Sequence, residues 1–416
     1  MGPLQGVRIL DLTTVLMGPY ATLQLADMGA DVIKVEPPQG DIVRQIEPAR
    51  HAGMGCMFLT LNRSKRSVVI DLKQRAGRDA ILRLAAKSDA LLYNVRPQAM
   101  ARLGLAYEDV AAVNPRIIYA GAFGYGQDGP YAARPAYDDL IQGATAIPTL
   151  IAAVGDGTPR YLPVTIADRV VGLCTVNAIL AALMHRERTG VGQRIDIPMF
   201  ETMAGFVLGD HLGGLTFDPP LGKGGYVRLL APERRPYRTK DGYVCALIYN
   251  DKQWESFFRA VGREDALADP RFASHAARLK HINAIYAEVA NIFIGRTTRE
   301  WLALLEAADI PVTPLHTLES LLEDPHLTAA GFFSVVEHPS EGRIRSMRVA
   351  STWSRTQPEP TRQAPRLGEH SVEVFKEAGF TPAEIAALLA SGVVRQCAAA
   401  DASADEVLPK PMRGGQ

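Results

Sequence analysis

Through the first half of the chain, short apolar runs alternate with segments whose apolar residues recur at helical spacing. Residues 7–12, 32–35, 68–72, 90–93 and 117–122 read as buried strands, with helices near 19–28 and 75–86 between them. Apolar runs joined by crossover helices predict an open, mostly parallel, Rossmann-like α/β sheet covered on both faces. Ligands of such sheets sit beyond the carboxyl ends of the strands.

The pattern changes after Glu201. Residues 1–200 form the first part of the large α/β domain, and the crowding of Leu212-Gly213-Gly214, Phe217-Asp218-Pro219-Pro220 and Gly222-Lys223-Gly224-Gly225 predicts a linker over 201–225. A smaller α/β domain is expected over 226–333. It contains a turn and strand within 238–247, an apolar helical face of Trp254, Phe257, Phe258 and Val261, and helices near 279–294 and 298–308. Residues 334–365 read as a second linker, polar and proline-rich from Ser351 to Pro365. Residues 366–396 return to the large domain. Thr381-Pro382-Ala383-Glu384 combines a cap, a proline at the first helical position and a capping-box partner, predicting a helix to about Ala390. The small, polar stretch 397–416 reads as a disordered tail.

Composition narrows the classes. The 45 basic and 45 acidic residues balance, so no nucleic-acid or anionic-membrane partner is indicated. Cys56, Cys174, Cys245 and Cys397 are too scattered for a zinc knuckle or a disulfide framework, and the nine histidines show no ligand spacing; no metal is expected. No leader pattern opens the chain and no uncharged run reaches bilayer length, which predicts a soluble, cytoplasmic protein.

Among candidate chemical groups Asp168 stands out, where the irregular Tyr161-Leu162-Pro163-Val164-Thr165-Ile166-Ala167 gives way to a long apolar helix ending at Thr189-Gly190. Read by itself, it is a helix cap. An aspartate at a helix start accepts backbone N–H bonds and feels the positive end of the dipole, so it is expected to be ionised near neutral pH.

A wider set of segments accompanies it: Gly18-Pro19-Tyr20-Ala21, Leu25 to Pro38, Asn62-Arg63-Ser64-Lys65-Arg66-Ser67, Asn94-Val95-Arg96-Pro97, Arg102-Leu103-Gly104-Leu105, Gly124 to Pro130, Pro365 to His370 and Gly392-Val393-Val394. In this order they resemble the class III CoA-transferases, a family that includes formyl-CoA and carnitine CoA-transferases, with the 2-methylacyl-CoA racemases as a sister branch. The resemblance implies a large domain built from both chain ends, a small domain from the middle, and two ring-shaped subunits interlocked as a homodimer. It implies acyl-CoA and a small carboxylic acid as substrates, no permanently bound cofactor, and Asp168 as the nucleophile. By the same resemblance Lys65, Ser67, Ile70, Lys73, Asn94, Val95 and Arg102 fall on coenzyme A contact positions, with Arg102 the best phosphate anchor.

Several positions bear on the reaction. Tyr137 stands where the racemase branch has a catalytic histidine, and a phenol with a pKa of about 10 is a poor base at neutral pH, which favours transfer over racemisation. Tyr137 packing beneath the sheet is the structural alternative. Leu16 replaces a glutamine of the formyl-CoA enzymes; with Met17 it gives the acid site an apolar wall, pointing away from formate and oxalate toward a larger acid such as succinate. Gly224 and Gly225 read as an active-site lid or as an ordinary linker. Arg228, Arg234, Arg235 and Arg238 are candidates for a distal carboxylate. Two other functions stay open: a racemase, and an acyl-CoA-binding protein without turnover.

Overall fold

The computed structural model describes residues 2–397, so the tail predicted at 397–416 lies outside the described residues from 398 on. Its strands are β1 (Arg8–Leu12), β2 (Asp31–Glu36), β3 (Lys65–Ile70), β4 (Ala90–Tyr93), β5 (Ile118–Phe123), β6 (Gln193–Pro198), β7 (Tyr237–Arg238), β8 (Tyr243–Ala246), β9 (Val312–Pro314), β10 (Phe333–His338), β11 (Gly342–Met347) and β12 (Val394–Arg395). The chain divides into two compact units. Among the described residues one comprises 2–142, 164–203 and 326–397, the other 143–163 and 204–325.

The large unit is built on a seven-stranded sheet of order β12-β3-β2-β1-β4-β5-β6. All neighbours run parallel except β12, which pairs antiparallel with β3 through Val394↔Ile70 and Arg395↔Val69. The chain order reverses on either side of β1, so β1 and β4 flank a topological switch point, the place where open α/β sheets receive ligands. The C-terminal segment is held by ions as well as by pairing. Arg66 on β3 bonds Asp31, Glu373 and Glu377, joining the helix Ser371–Glu377 to β2 and β3. The helix Pro382–Ala390 carries the predicted capping box at Thr381 and Glu384.

Strand β3 begins at Lys65, earlier than the apolar pattern indicates, because Lys65, Arg66 and Ser67 are buried with partners rather than exposed. The glycine-rich stretch predicted as linker from 201 opens inside the helix Met199–His211, and the second predicted linker opens with the β10–β11 hairpin. In that hairpin β11 alternates half-buried and exposed residues but β10 does not, and only His338 is buried, so its sequence reads as connection. Segment 143–163, with the helix Ile147–Val154, groups with the small unit although it interrupts the large unit in sequence.

The small unit has an antiparallel three-stranded sheet, β7-β8-β9. Its core is aromatic: Trp254, Phe257, Phe258, Phe293 and Trp301 are buried, and Tyr237 stacks on Phe293 with centroids 4.3 Å apart.

By length and composition alone, the helix Ile166–Thr189 could cross a membrane, with a mean hydropathy of 1.7 over its best window. In the large unit it lies against the helix Met17–Asp27 and against β5 and β6.

Candidate active site

The helix Ile166–Thr189 ends at Gly190, whose φ of 78° closes the last turn in a left-handed conformation. Its start is capped in an unusual way. Thr165 holds the N-cap position without a side-chain bond, and the cap comes instead from Asp138, the first residue of the helix Asp138–Ala144. Asp138 Oδ2 accepts the backbone N–H of Asp168 at 3.0 Å, and its Oδ1 accepts Gln142 Nε2 at 2.5 Å. Asp138 is buried, at 7% exposure.

Asp168 therefore does not cap its own helix. Among the described residues its half-buried carboxylate has no hydrogen-bond partner, although its main chain is fixed. Burial first, and the nearby charge of Asp138 second, push its pKa up to about 7, against the opposing pull of Arg169. This corrects the expectation of an acid fully ionised at neutral pH: desolvation and a like charge outweigh the helix dipole. The Arg169 guanidinium is turned onto the Tyr20 ring, 4.4 Å from its centroid.

One turn after Asp168, a Cβ on Gly172 would lie 3.0 Å from both Met17 O and Tyr20 Cδ1, so the two helices touch backbone to backbone there. Residues four apart share a helix face, which sets Asp168 beside the start of the helix Met17–Asp27. The preceding loop is held under constraint. Val15 has φ 69°, a conformation that β-branched residues rarely adopt. Asn94, at the end of β4, grips the neighbouring residue with both ends of its amide. Its Oδ1 accepts Thr14 N–H at 3.0 Å and its Nδ2 donates to Thr14 O at 2.7 Å. Val15 N–H donates to Asp41 Oδ1 at 3.1 Å.

Beneath the loop lies a buried ionic network. Lys34 Nζ donates to Thr13 O and Asp41 Oδ2, while Asp11 accepts from Thr13, Thr22 and Lys65. Desolvation works against the charge on Asp11, yet Lys65 and Lys34 hold its pKa below the usual carboxylate range. Burial pushes Lys65 down to about 8 in spite of Asp11.

These facts redistribute the predicted contacts. Lys65 cannot reach a phosphate: it is fully buried, and its ammonium donates to Asp11, Pro19 O and Asn62. Ser67 is sealed as well, donating to Glu36 and accepting from Gly368 N–H. The Ile70 side chain belongs to the core. Lys73 and Val95 are exposed just past β3 and β4, Arg102 is exposed at the end of the helix Pro97–Arg102, and neither cation has an ion-pair partner among the described residues. Leu16 and Met17 are only 4% exposed, so their side chains are closed into the fold. Tyr137 does not pack beneath the sheet; it is 67% exposed, immediately before Asp138. Gly224 and Gly225 belong to the small unit, where Gly225, at φ 103°, donates its N–H to His211 O at 2.7 Å.

Sequence reasoning passed over Asp138 and the ions beneath the loop. The available signal was charge inside otherwise apolar strands: Asp11, Lys34, Glu36 and Lys65. Among the described residues no group of three His, Cys, Asp or Glu side chains could hold a metal ion.

The family model of CoA-transferase family III matches residues 4–371. The chain belongs to that family. This transferase is 33% identical over 386 residues to a succinate–glutarate CoA-transferase of Agrobacterium fabrum, covering 90% of this chain and 95% of the relative. It is 30% identical over 412 residues to a formyl-CoA:oxalate CoA-transferase of Escherichia coli, covering 93% and 98%. A crystal structure of a CaiB/BaiF family protein from Brucella suis matches with a TM-score of 0.76 at 31% identity, over 91% of this chain and 99% of that one. The family acts on acyl-CoA and carboxylic acids, and the transferase shares its α/β architecture.

Proposed function

We propose that this enzyme moves CoA between an acyl-CoA donor and a carboxylic acid larger than formate or oxalate, a dicarboxylate such as succinate or glutarate, with Asp168 as the nucleophile. The reading is carried by one observation: the Asp168 backbone is anchored by Asp138, while its carboxylate is half-buried and without a hydrogen-bond partner among the described residues. The name of the Agrobacterium relative supports the dicarboxylate.

The ionised carboxylate attacks the donor thioester carbonyl and expels CoA thiolate, leaving a mixed anhydride. The thiolate attacks the aspartyl carbonyl, releasing the donor acid and leaving an aspartyl-CoA thioester. The acceptor carboxylate then attacks that thioester, and the same two steps run in reverse. Each displacement exchanges one acyl leaving group for another, so the thioester's free energy is not lost to water. Burial suits both requirements, because it excludes water and leaves the nucleophile poorly solvated. Lys73 and Arg102 supply cations for the phosphates of CoA, Val95 an apolar contact, and Asn94 shapes the loop beside the carboxylate. Tyr137, exposed immediately before Asp138, borders the acid site in this reading, with the buried Leu16 and Met17 as packing behind the loop. The active form is read as a homodimer, which light scattering tests.

The mechanism predicts ping-pong exchange and an enzyme-bound thioester that hydroxylamine traps. Asp168→Ala loses both. Near-normal exchange by that variant overturns the mechanism, and α-deuterium uptake from heavy water without an acceptor acid points to racemisation instead.

A further inference from the structure

The small unit contains a cavity of about 350 Å³ whose lining includes Arg228, Arg234, Arg235, Tyr237, Cys245 and Tyr286. Its volume is within the range of small-molecule sites. Its charge is unbalanced. Arg235 pairs with Glu233 at 2.8 Å, but among the described residues neither Arg228 nor Arg234 has a carboxylate within ion-pair distance. Arg228 is half-buried, and its guanidinium is already oriented: Nε donates to the Tyr286 hydroxyl at 3.1 Å, and the group sits 5.3 Å from the centroid of the Tyr249 ring. Tyr286 and Tyr237 are themselves 6% and 7% exposed, and Tyr237 is stacked on Phe293, so the wall that orients Arg228 is packed into the core of the small unit.

A guanidinium partly withdrawn from water loses solvation, and a nearby anion restores it. With Nε occupied by the phenol, Nη1 and Nη2 remain as a planar pair of donors, a geometry that matches the two oxygens of a carboxylate or phosphate. Arg234 adds a second positive charge at the same cavity. We propose that this cavity is an anion-binding site for the carboxylate or phosphate group of a small molecule, with Arg228 as its bidentate anchor and Arg234 as its second cation. The proposal stands on the small unit's own geometry and does not depend on the role of Asp168.

The test uses the full chain, with glutarate and inorganic phosphate in separate arms. Phenylglyoxal modification of arginines is followed by mass spectrometry while each anion is titrated, and binding is measured by calorimetry. The expected result is saturable protection of Arg228 and Arg234 by at least one anion, in the wild type and equally in Asp168→Ala. Affinity for that anion is expected to fall by about tenfold or more in Arg228→Gln. Arg234→Gln, at an exposed position, keeps the binding test available should Arg228→Gln fail to fold; it is expected to weaken binding by a smaller factor. Protection by glutarate alone assigns a carboxylate ligand, and protection by phosphate alone a phosphorylated one. Absence of protection by both anions, or unchanged affinity in both arginine variants, overturns the site. Loss of exchange in Asp168→Ala with protection intact separates this site from the transferase mechanism.

Discussion

Asp138 takes the backbone N–H of Asp168 on its own carboxylate at 3.0 Å, so one acid anchors the other while raising the cost of ionising it. The two effects can be separated. Asp138→Asn keeps an oxygen to accept the N–H but removes the charge, so the pKa of Asp168 falls. The acid limb of the kcat/KM–pH profile, expected near pH 7 in the wild type, moves to lower pH. Asp138→Ala also loses the cap, which costs roughly 1 kcal/mol of stability. An unchanged acid limb in Asp138→Asn shows that Asp138 does not set the ionisation of the nucleophile.

The same shift has a signature in stability. The Asp168 pKa is raised from 3.8 to about 7 on folding, so the folded state holds this proton more tightly than the unfolded state does. Its contribution is fully present below the unfolded pKa and is lost as pH rises through the folded value. Between about pH 4 and 7 the wild type therefore loses stability relative to Asp168→Asn, which has no proton to release. Urea denaturation of both proteins across that range checks the prediction; parallel pH dependences contradict it.

The network under the loop gives a larger effect. Asp11 and Lys65 are both fully buried, with Lys65 Nζ 3.2 Å from Asp11 Oδ2. Removing one charge from such a network leaves the other unpaired in a poorly solvating interior, typically at a cost of about 3–5 kcal/mol. Asp11→Ala is expected to lose stability on that scale in chemical denaturation. Lys65→Met, which removes the cation yet keeps its length, leaves Asp11 with Thr13 and Thr22 as donors and is expected to lose less. Equal losses would mean that Asp11 depends on the ammonium more than on the hydroxyls.

Much of the large unit was legible because its strands obey a single rule. A parallel strand covered on both faces is largely apolar; β4 and β5 stand out as such against their helices, and β1 and β2 do so through apolar runs that Asp11 and Lys34 interrupt. Strand β3 shows where the rule weakens: the apolar pattern starts it at Val68 and leaves out Lys65, Arg66 and Ser67, but each is matched by a side chain on a neighbouring element, a pairing that spacing does not reveal. The same blindness affected the candidate site. Asp168 was visible as an acid at a helix start, and the resemblance supplied its role, yet its ionisation depends on Asp138, thirty residues earlier and recognisable only once the two helices meet. Among the predicted coenzyme contacts, Lys73, Val95 and Arg102 lie exposed beyond strand ends, whereas Lys65 and Ser67 are consumed by the fold. A motif match identifies a position in a family; burial determines whether the side chain there is free to bind.

Gly172 connects packing to the candidate nucleophile. A Cβ there would meet Met17 O and Tyr20 Cδ1 at 3.0 Å, closer than ordinary van der Waals contact, so an alanine requires a displacement of a few tenths of an ångström. Alanine gains up to about 1 kcal/mol of helix propensity over glycine, which offsets part of this crowding. A leucine cannot be accommodated without separating the helices, and overpacking of this kind costs about 1–3 kcal/mol. Because the separation occurs one turn from Asp168 and at the entry to the Val15–Met17 loop, Gly172→Leu is expected to lower kcat more than its loss of stability explains, with Gly172→Ala close to the wild type in both. The check is exchange activity measured well below the melting temperature of each variant. A Gly172→Leu enzyme that is destabilised but retains full kcat would show that the helix contact supports the fold without positioning the carboxylate.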